Sequence, residues 1–223
     1  MNYLEIARSV RAQAGIAGEG PSNISTTTGI MGDVLRWTRE AYNEIQTEFE
    51  NWNFLFKNYS LTVPEAFREV TMPQEGVRVI AKETFIIQEV NGTKTRIRYV
   101  PYSVWKLDDK LALEAIETKL PTHVTILPNK NLLFNTAAPE NLSILFDGYR
   151  EPHVMVNSTD LPIFDVQYHT LIQLKALTKY GTYYNAQEVY KASDIAYKTL
   201  LSKMKYSELP RENLVTPPFV AFA

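Results

Sequence analysis

Between Gly29 and Trp52 apolar and polar positions separate cleanly at helical spacing. Met31, Val34, Leu35, Tyr42, Ile45, Phe49 and Trp52 fall in one stripe, with Asp33, Arg36, Glu40, Asn43, Glu44 and Thr47 opposite. The pattern predicts a surface helix with one buried side. A shorter helix is expected over 2–14. The Gly-, Ser- and Thr-rich stretch 15–29 reads as a long loop, a kind that is usually functional or unordered until something binds it. Helical spacing returns along 163–184, where Pro162 suits a first turn. There Ile163, Val166, Leu174, Leu177 and Tyr184 share a stripe, while Tyr168, Leu171, Ile172 and Tyr183 occupy the remaining faces. A helix apolar on several sides is buried on several sides, either at the centre of a bundle or against another subunit. Asn185 to Glu188 reads as a capping arrangement that opens a last helix, 186–205, with the stripe Val189, Ala196, Leu200 and Met204. The final stretch, SELPRENLVTPPFVAFA, cannot continue that helix through its prolines and is expected to be an extended arm.

The middle of the chain alternates with a period of two. TFIIQEV-NG-TKTRIRYV predicts a hairpin, because Asn91-Gly92 can supply the positive φ angles of a two-residue type I′ turn. That turn pairs Ile86 with Ile97 and Glu89 with Lys94. Further strands are expected over Tyr59–Val63, Val77–Ala81, Val124–Leu127, Leu132–Asn135 and Leu142–Tyr149, with a short helical piece at 108–117. The expected class is therefore α+β. An antiparallel helical bundle (1–57 and 159–205) is interrupted by a β-rich, sandwich- or barrel-like insertion (58–158), and an extended C-terminal arm follows (206–223).

Composition narrows the function. The 223 residues contain no cysteine, which excludes disulfides, thiolate metal sites and cysteine nucleophiles. No apolar run approaches the roughly 20 residues of a membrane span, and the N-terminus lacks the apolar core of a signal peptide, so synthesis in the cytoplasm is expected. The net charge of −2 argues against tight nucleic-acid binding; the densest basic cluster, Lys94, Arg96 and Arg98, alternates along a predicted strand. The aromatic complement (Tyr 13, Phe 10, Trp 3) is rich in residue types favoured at protein–protein contacts.

A search for chemistry assigns no catalytic, cofactor-binding or metal-binding residue. His123, His153 and His169 are isolated, outside any metal spacing, and no nucleophile elbow or nucleotide loop is present. Asp108-Asp109 is a poor cation cage without further oxygen ligands. Glu40 with Glu44, and Glu114 with Glu117, are the only acid–base pairs to consider, and Glu40 and Glu44 lie on a polar helix face that is normally just solvated. The candidate interface residues are Tyr168, Leu171, Ile172 and Tyr183 on the multi-sided helix, and Leu214, Val215, Phe219 and Phe222 on the arm.

Five segments, in order, resemble phage head-to-tail adaptor proteins of the tail tubular A type. They are WTREAYNEIQTEFENWNFLF (37–56), RYVPYSVW (98–105, a strand in that family), PTHVTILPNKNLLFNTAAP (121–139, a hairpin), LSILFDGYREP (142–152, a strand) and LPIFDVQYHTLIQLKALTKYG (161–181, a helix). The resemblance implies a non-enzymatic structural protein of the virion neck. It implies a homo-oligomeric ring, usually of twelve subunits, seated beneath the portal protein, with the helical bundle as its body. The β part would contact tail nozzle or fibre proteins, and ejected double-stranded DNA would touch the channel transiently and without sequence preference. No cofactor and no membrane are implied. Other readings are a tail completion or terminator ring, a virion-associated cell-wall hydrolase, and a carbohydrate-binding module built on the β part.

Overall fold

The helical stripes and the alternating strands sort into separate stretches of chain. The computed structural model describes residues 1–24, 27–72, 76–108, 110–111 and 117–210. They belong to two units, one made of Met1–Phe54 with the chain from Pro152 onward, the other of Leu55–Glu151. The class is α+β. The divisions fall at 54/55 and 151/152, ahead of the 57/58 and 158/159 read from the sequence. One cause is that the first strand already begins at Phe56; another is that His153 hydrogen-bonds to a helix of the first unit.

Four long helices make up the described part of the helical unit: α1 (Tyr3–Gln13), α2 (Gly29–Thr47), α3 (His169–Tyr183) and α4 (Gln187–Glu208). Helix α1 starts at a capping box, in which the Asn2 side chain accepts from the Glu5 N–H and the Glu5 carboxylate accepts from the Asn2 N–H, each at 2.9 Å. The loop beyond α1 lies back along it. Arg8 donates to the Pro21 carbonyl at 3.1 Å, and Arg11 donates to the carbonyls of Ile16 and Gly18.

Three helix limits differ from the periodic reading. Helix α2 stops at Thr47, five residues short of Trp52; the chain turns and Trp52 folds back, its indole N–H donating to the Ile45 carbonyl at 3.0 Å. Burial of Trp52 thus keeps the stripe's spacing without the helix. Helix α3 opens at His169, after a 3₁₀ turn (Val166–Tyr168) capped by Asp165, so Ile163 and Pro162 precede it. Asn185 has φ +53°, and Ala186 caps α4 without a side-chain hydrogen bond, so the expected capping box is absent. Helix α4 continues to Glu208, which makes 206–208 helical; residues 211–223 of the expected arm lie outside the described residues. Its buried stripe is Ser193, Tyr197, Leu201 and Met204, while Ala196 is exposed. The shift follows from Tyr197, whose ring is buried while its hydroxyl reaches Glu48 at 3.2 Å.

The point where the chain re-enters this unit is fastened by two side chains of α2, Gln46 and Tyr42. Gln46, fully buried on α2, accepts from the His153 N–H at 2.8 Å and donates to the His153 carbonyl at 2.9 Å. The Tyr42 hydroxyl bonds His153 Nδ1 at 2.9 Å and accepts from the Ile163 N–H at 3.0 Å.

The second unit holds two sheets. Strand β9 (Leu142–Arg150) pairs antiparallel with β1 (Phe56–Val63), β3 (Val77–Ile80) and β4 (Ile86–Gln88), and β4 pairs with β5 (Lys94–Arg96). The other sheet runs β2 (Glu69–Val70), β8 (Leu132–Phe134), β7 (His123–Ile126), β6 (Arg98–Tyr99), with β6 parallel to β7. Buried residues of both sheets form one core, among them Tyr59, Phe85, Ile87, Val124, Phe134, Ile144 and Phe146.

The hairpin differs from the expected one by a single residue. Its loop has three residues, because the Glu89 N–H donates to the Thr93 carbonyl at 3.0 Å and the Asn91 side chain accepts from the Thr93 N–H at 2.8 Å. Gly92 alone takes the left-handed conformation, at φ +87°. Ile86 therefore faces Arg96, and Ile97 donates to the Phe85 carbonyl. A one-residue slip exchanges the faces of a strand, and here it buries Phe85, Ile87 and Ile97 in place of Ile86. The basic cluster read as one strand is also divided: Lys94 and Arg96 lie on β5, Arg98 on β6 of the other sheet. After Tyr99 the segment 98–105 leaves the sheet, and Pro101 opens a single helical turn, Tyr102–Trp105. Most of the expected helical piece at 108–117 (residues 109 and 112–116) lies outside the described residues.

Replacing Gln46 with Ala leaves the His153 N–H and carbonyl without partners, at a cost of about 2 kcal/mol. At this chain length that is a fall of about 4–8 °C in melting temperature, to be measured by scanning calorimetry. An unchanged transition would mean the re-entry point is held elsewhere.

Candidate interaction surface

The multi-sided helix α3 packs against α1, α2 and α4 of its own chain. Of the candidate residues on or beside it, Leu171 and Ile172 are fully buried and Tyr168 nearly so, its hydroxyl 2.7 Å from Ser207 Oγ. Those three have no surface left to offer a neighbour. Of the two explanations for apolar residues on every face, the central position in a bundle accounts for them. Tyr183 is different: at the end of α3 it is 64% exposed. Leu214, Val215, Phe219 and Phe222 lie outside the described residues.

Around Tyr183 the structure gathers rings that the sequence reading did not group. Trp37 on α2, itself buried, has Tyr183 at 5.6 Å, Tyr180 at 6.0 Å and Tyr184 at 6.2 Å between ring centroids. Tyr183 and Tyr184 stand edge to face at 4.9 Å, and the Arg36 guanidinium lies 5.9 Å from the Trp37 ring. Tyr184 and Tyr190 are also exposed. Gly181 brings α4 onto this end of α3, since a Cβ there would stand 2.8 Å from Tyr190 Cβ and 2.9 Å from its backbone nitrogen. The signal was present as aromatics at 180, 183 and 184, one helical turn apart, with a glycine among them.

Beside the rings, Trp37, Thr178, Thr182 and Tyr183 line a shallow groove of about 310 Å³ together with Glu40, Glu44, Lys175 and Lys179. The carboxylates are ion-paired across helices rather than simply solvated. Lys179 Nζ is 2.5 Å from Glu44 and 3.2 Å from Glu40, and Lys175 is 3.4 Å from Glu44. Partial burial acts to raise the Glu44 carboxyl, but the hydrogen bond and charge of Lys179, with those of Lys175, outweigh it and hold it below the usual range. A general acid needs the opposite shift. Of the other acid–base pair, Glu117 pairs with Lys119 at 2.5 Å on the surface, and Glu114 lies outside the described residues.

Each histidine is held by hydrogen bonds. His169 Nε2 bonds the Phe164 carbonyl at 3.2 Å, and burial keeps its imidazole below the ordinary range. His153 is bonded to Tyr42, and His123 to the Thr122 hydroxyl at 2.9 Å. Among the described residues no group of three or more His, Asp or Glu is placed to hold a metal ion, and no helix is long and apolar enough to cross a membrane. The chain matches no protein-family model and no curated protein.

Two outcomes follow. Gly181→Ala forces α4 away from α3 and is expected to destabilise by about 1–3 kcal/mol, with loss of the near-ultraviolet dichroism of the tyrosine cluster; unchanged spectra would mean the two helices yield freely. The depressed Glu44 carboxyl contributes stability that is present above its ordinary pKa of 4.5 and is lost as pH falls through its lower folded value. Glu44→Gln should therefore flatten the acid side of the melting-temperature profile, below about pH 4.5. A profile as steep as that of the parent chain would assign the acid sensitivity to other carboxylates.

Proposed function

We propose that this chain is a structural head-to-tail adaptor of a bacteriophage virion, a ring subunit beneath the portal that joins capsid to tail and leaves a channel for the ejected genome. The observation that carries the reading is where the resembling segments fall. The 121–139 pattern lies on the β7–β8 hairpin, the 142–152 pattern on β9, and the 161–181 pattern ends in α3. The Trp37–Phe56 pattern runs from α2 into β1. Segment 98–105 departs from it, since its strand ends at Tyr99.

Two further features suit the role. A ring needs a contact that is different on its two sides and closes on itself. Contacts of that kind bury on the order of 2,000 Å² or more and favour aromatic anchors. The exposed tyrosines at the end of α3 are such anchors. A net charge of −2 also suits a channel, because many cationic contacts to phosphates would hold DNA in place. In this reading the partners are further copies of the chain, the portal protein, tail nozzle or fibre proteins and, transiently, passing DNA; the site of action is the neck of the virion.

The test is the mass of the particle in solution. Alone at micromolar concentration the chain should scatter light as a monomer of 25.5 kDa, and with the portal of the same virion it should form one complex carrying a ring of copies. A portal whose mass is unchanged by excess chain would sink the adaptor reading. Lysis of purified cell walls by the chain alone would replace it with a hydrolase.

A further inference from the structure

We propose that the cleft between β3 and the β7–β8 hairpin of the strand unit binds an extended acidic strand of another protein; the inference rests on the adaptor reading above for the source of that strand, a tail protein. The cleft measures about 340 Å³. Five residues in succession, Gly76 to Ile80, line it. Side chains alternate across a strand, so a cleft that meets every residue runs along the strand's edge and not over one face. Strand β3 pairs with β9 through its other edge, and among the described residues no strand lies along the edge at the cleft. Met72 and Ile126 also line it, and with Ile80 they pack against the core of the unit. An edge of unpaired backbone beside apolar side chains is the arrangement that accepts an added strand, through main-chain hydrogen bonds and alternate side chains.

Charge decides which strand. Arg78, Lys82 and Lys130 line the cleft, and among the described lining residues none is acidic. The Glu151 carboxylate lies beside Gly76 at one end, which leaves the surroundings cationic. Lys82 has the Tyr99 ring at 5.3 Å, and among the described residues neither Lys82 nor Lys130 pairs with a carboxylate. Two local irregularities serve this charge. The pairing of β3 with β9 shifts between Val77 and Val79, so Arg78 is the extra residue of a bulge, a device that re-aims a side chain. Lys130 holds φ +69° at the end of the 128–130 turn, its N–H donating to the Leu127 carbonyl at 2.9 Å. Glycine takes that conformation freely, whereas a lysine there carries a strain that is retained where its side chain is used. A second copy of β3 is a poor guest, because it would set Arg78 and Lys82 against like charges. A strand that alternates carboxylates with aliphatic residues meets both the cations and the apolar lining.

The experiment titrates the full-length protein into a fluorescently labelled synthetic peptide, acetyl-Glu-Val-Glu-Val-Glu-Val-Glu, at low salt and reads anisotropy. Saturable binding is expected, with none for the same peptide carrying Lys in place of Glu. Lys82→Glu, at an exposed position, should weaken it by about tenfold. Lys130→Gly should weaken it as well while raising the melting temperature, because it relieves the backbone as it removes the charge. That opposition separates a binding role from a structural one. A peptide methylated on alternate backbone nitrogens should bind about tenfold more weakly, since main-chain pairing is part of the contact. The inference fails if the peptide does not bind, if neither protein variant weakens it, or if the methylated peptide binds equally well. A DNA duplex that displaced the peptide and bound more tightly would assign the cleft to phosphates and overturn it. The peptide assay needs no portal. A portal complex without peptide binding would leave the adaptor reading standing and remove this inference; peptide binding without a portal complex would do the reverse.

Discussion

The helical unit depends on one constraint: the chain leaves it at Phe54 and must rejoin it at Pro152. Two stretches of sequence so far apart have no turn to align them, and the closing contact carries the loop entropy of everything between. Gln46 provides the alignment. Its amide pairs with both backbone groups of His153, as a neighbouring strand would, from a position on α2 that is fully buried. Tyr42, one helical turn earlier, bonds His153 and the Ile163 N–H, and its ring meets Phe164 at 5.8 Å. With those residues set, Phe164 also packs on Phe54 and His169, and α3 begins in register with α2. The Trp37 cluster at the far end of α3 is downstream of that registration.

In the strand unit the corresponding role belongs to β9. Its burial alternates through Leu142, Ile144, Phe146 and Gly148, and its backbone pairs with three other strands. Each of those pairings joins residues far apart in sequence; Phe56 opposite Tyr149 is the extreme. Both units are thus closed late along the chain, by segments that lie within about 20 residues of each other. Contacts of such long range form slowly, so folding of either unit has to await the 142–164 stretch.

Much of this was legible in the sequence, and the exceptions have physical causes. Period counting found α2, β8 and β9, each of which alternates buried with more exposed positions, while α3 was found as apolar residues on several faces and β7 as a short run in which Val124 and Thr125 are both buried. It misplaced the end of α2, because Trp52 occupies the next position of the stripe through a turn and not through helix. The hairpin register was missed because the Asn91 side chain takes the Thr93 N–H and lengthens the loop by one residue, a preference that the pair Asn-Gly does not reveal. On α4, Tyr197 is buried with its hydroxyl donating to Glu48, and Ser193 is buried beside it, so a stripe drawn through Val189, Ala196 and Leu200 fell on the wrong side. For the interaction surface the limit is deeper. Apolar character says that Leu171, Ile172 and Tyr183 seek cover, but not that α1, α2 and α4 already cover the first two. Only the packed chain shows which of them is left over.

What is left over is also held still. The exposed faces of Tyr183 and Tyr184 sit against a buried Trp37, and beside them Glu40, Glu44, Lys175 and Lys179 cross-link α2 to α3. Exposed ion pairs of this kind add little to global stability. Their value here is positional: they fix the groove's polar side while Gly181 fixes the approach of α4. A surface whose rotamers are settled before association loses less conformational entropy on binding, and so converts more of its contact area into affinity. Rings pinned by a buried tryptophan would meet that condition in the free chain. On the proposed ring-subunit reading such pinning counts for more than a larger but looser apolar patch, because each further contact between copies repeats the same saving.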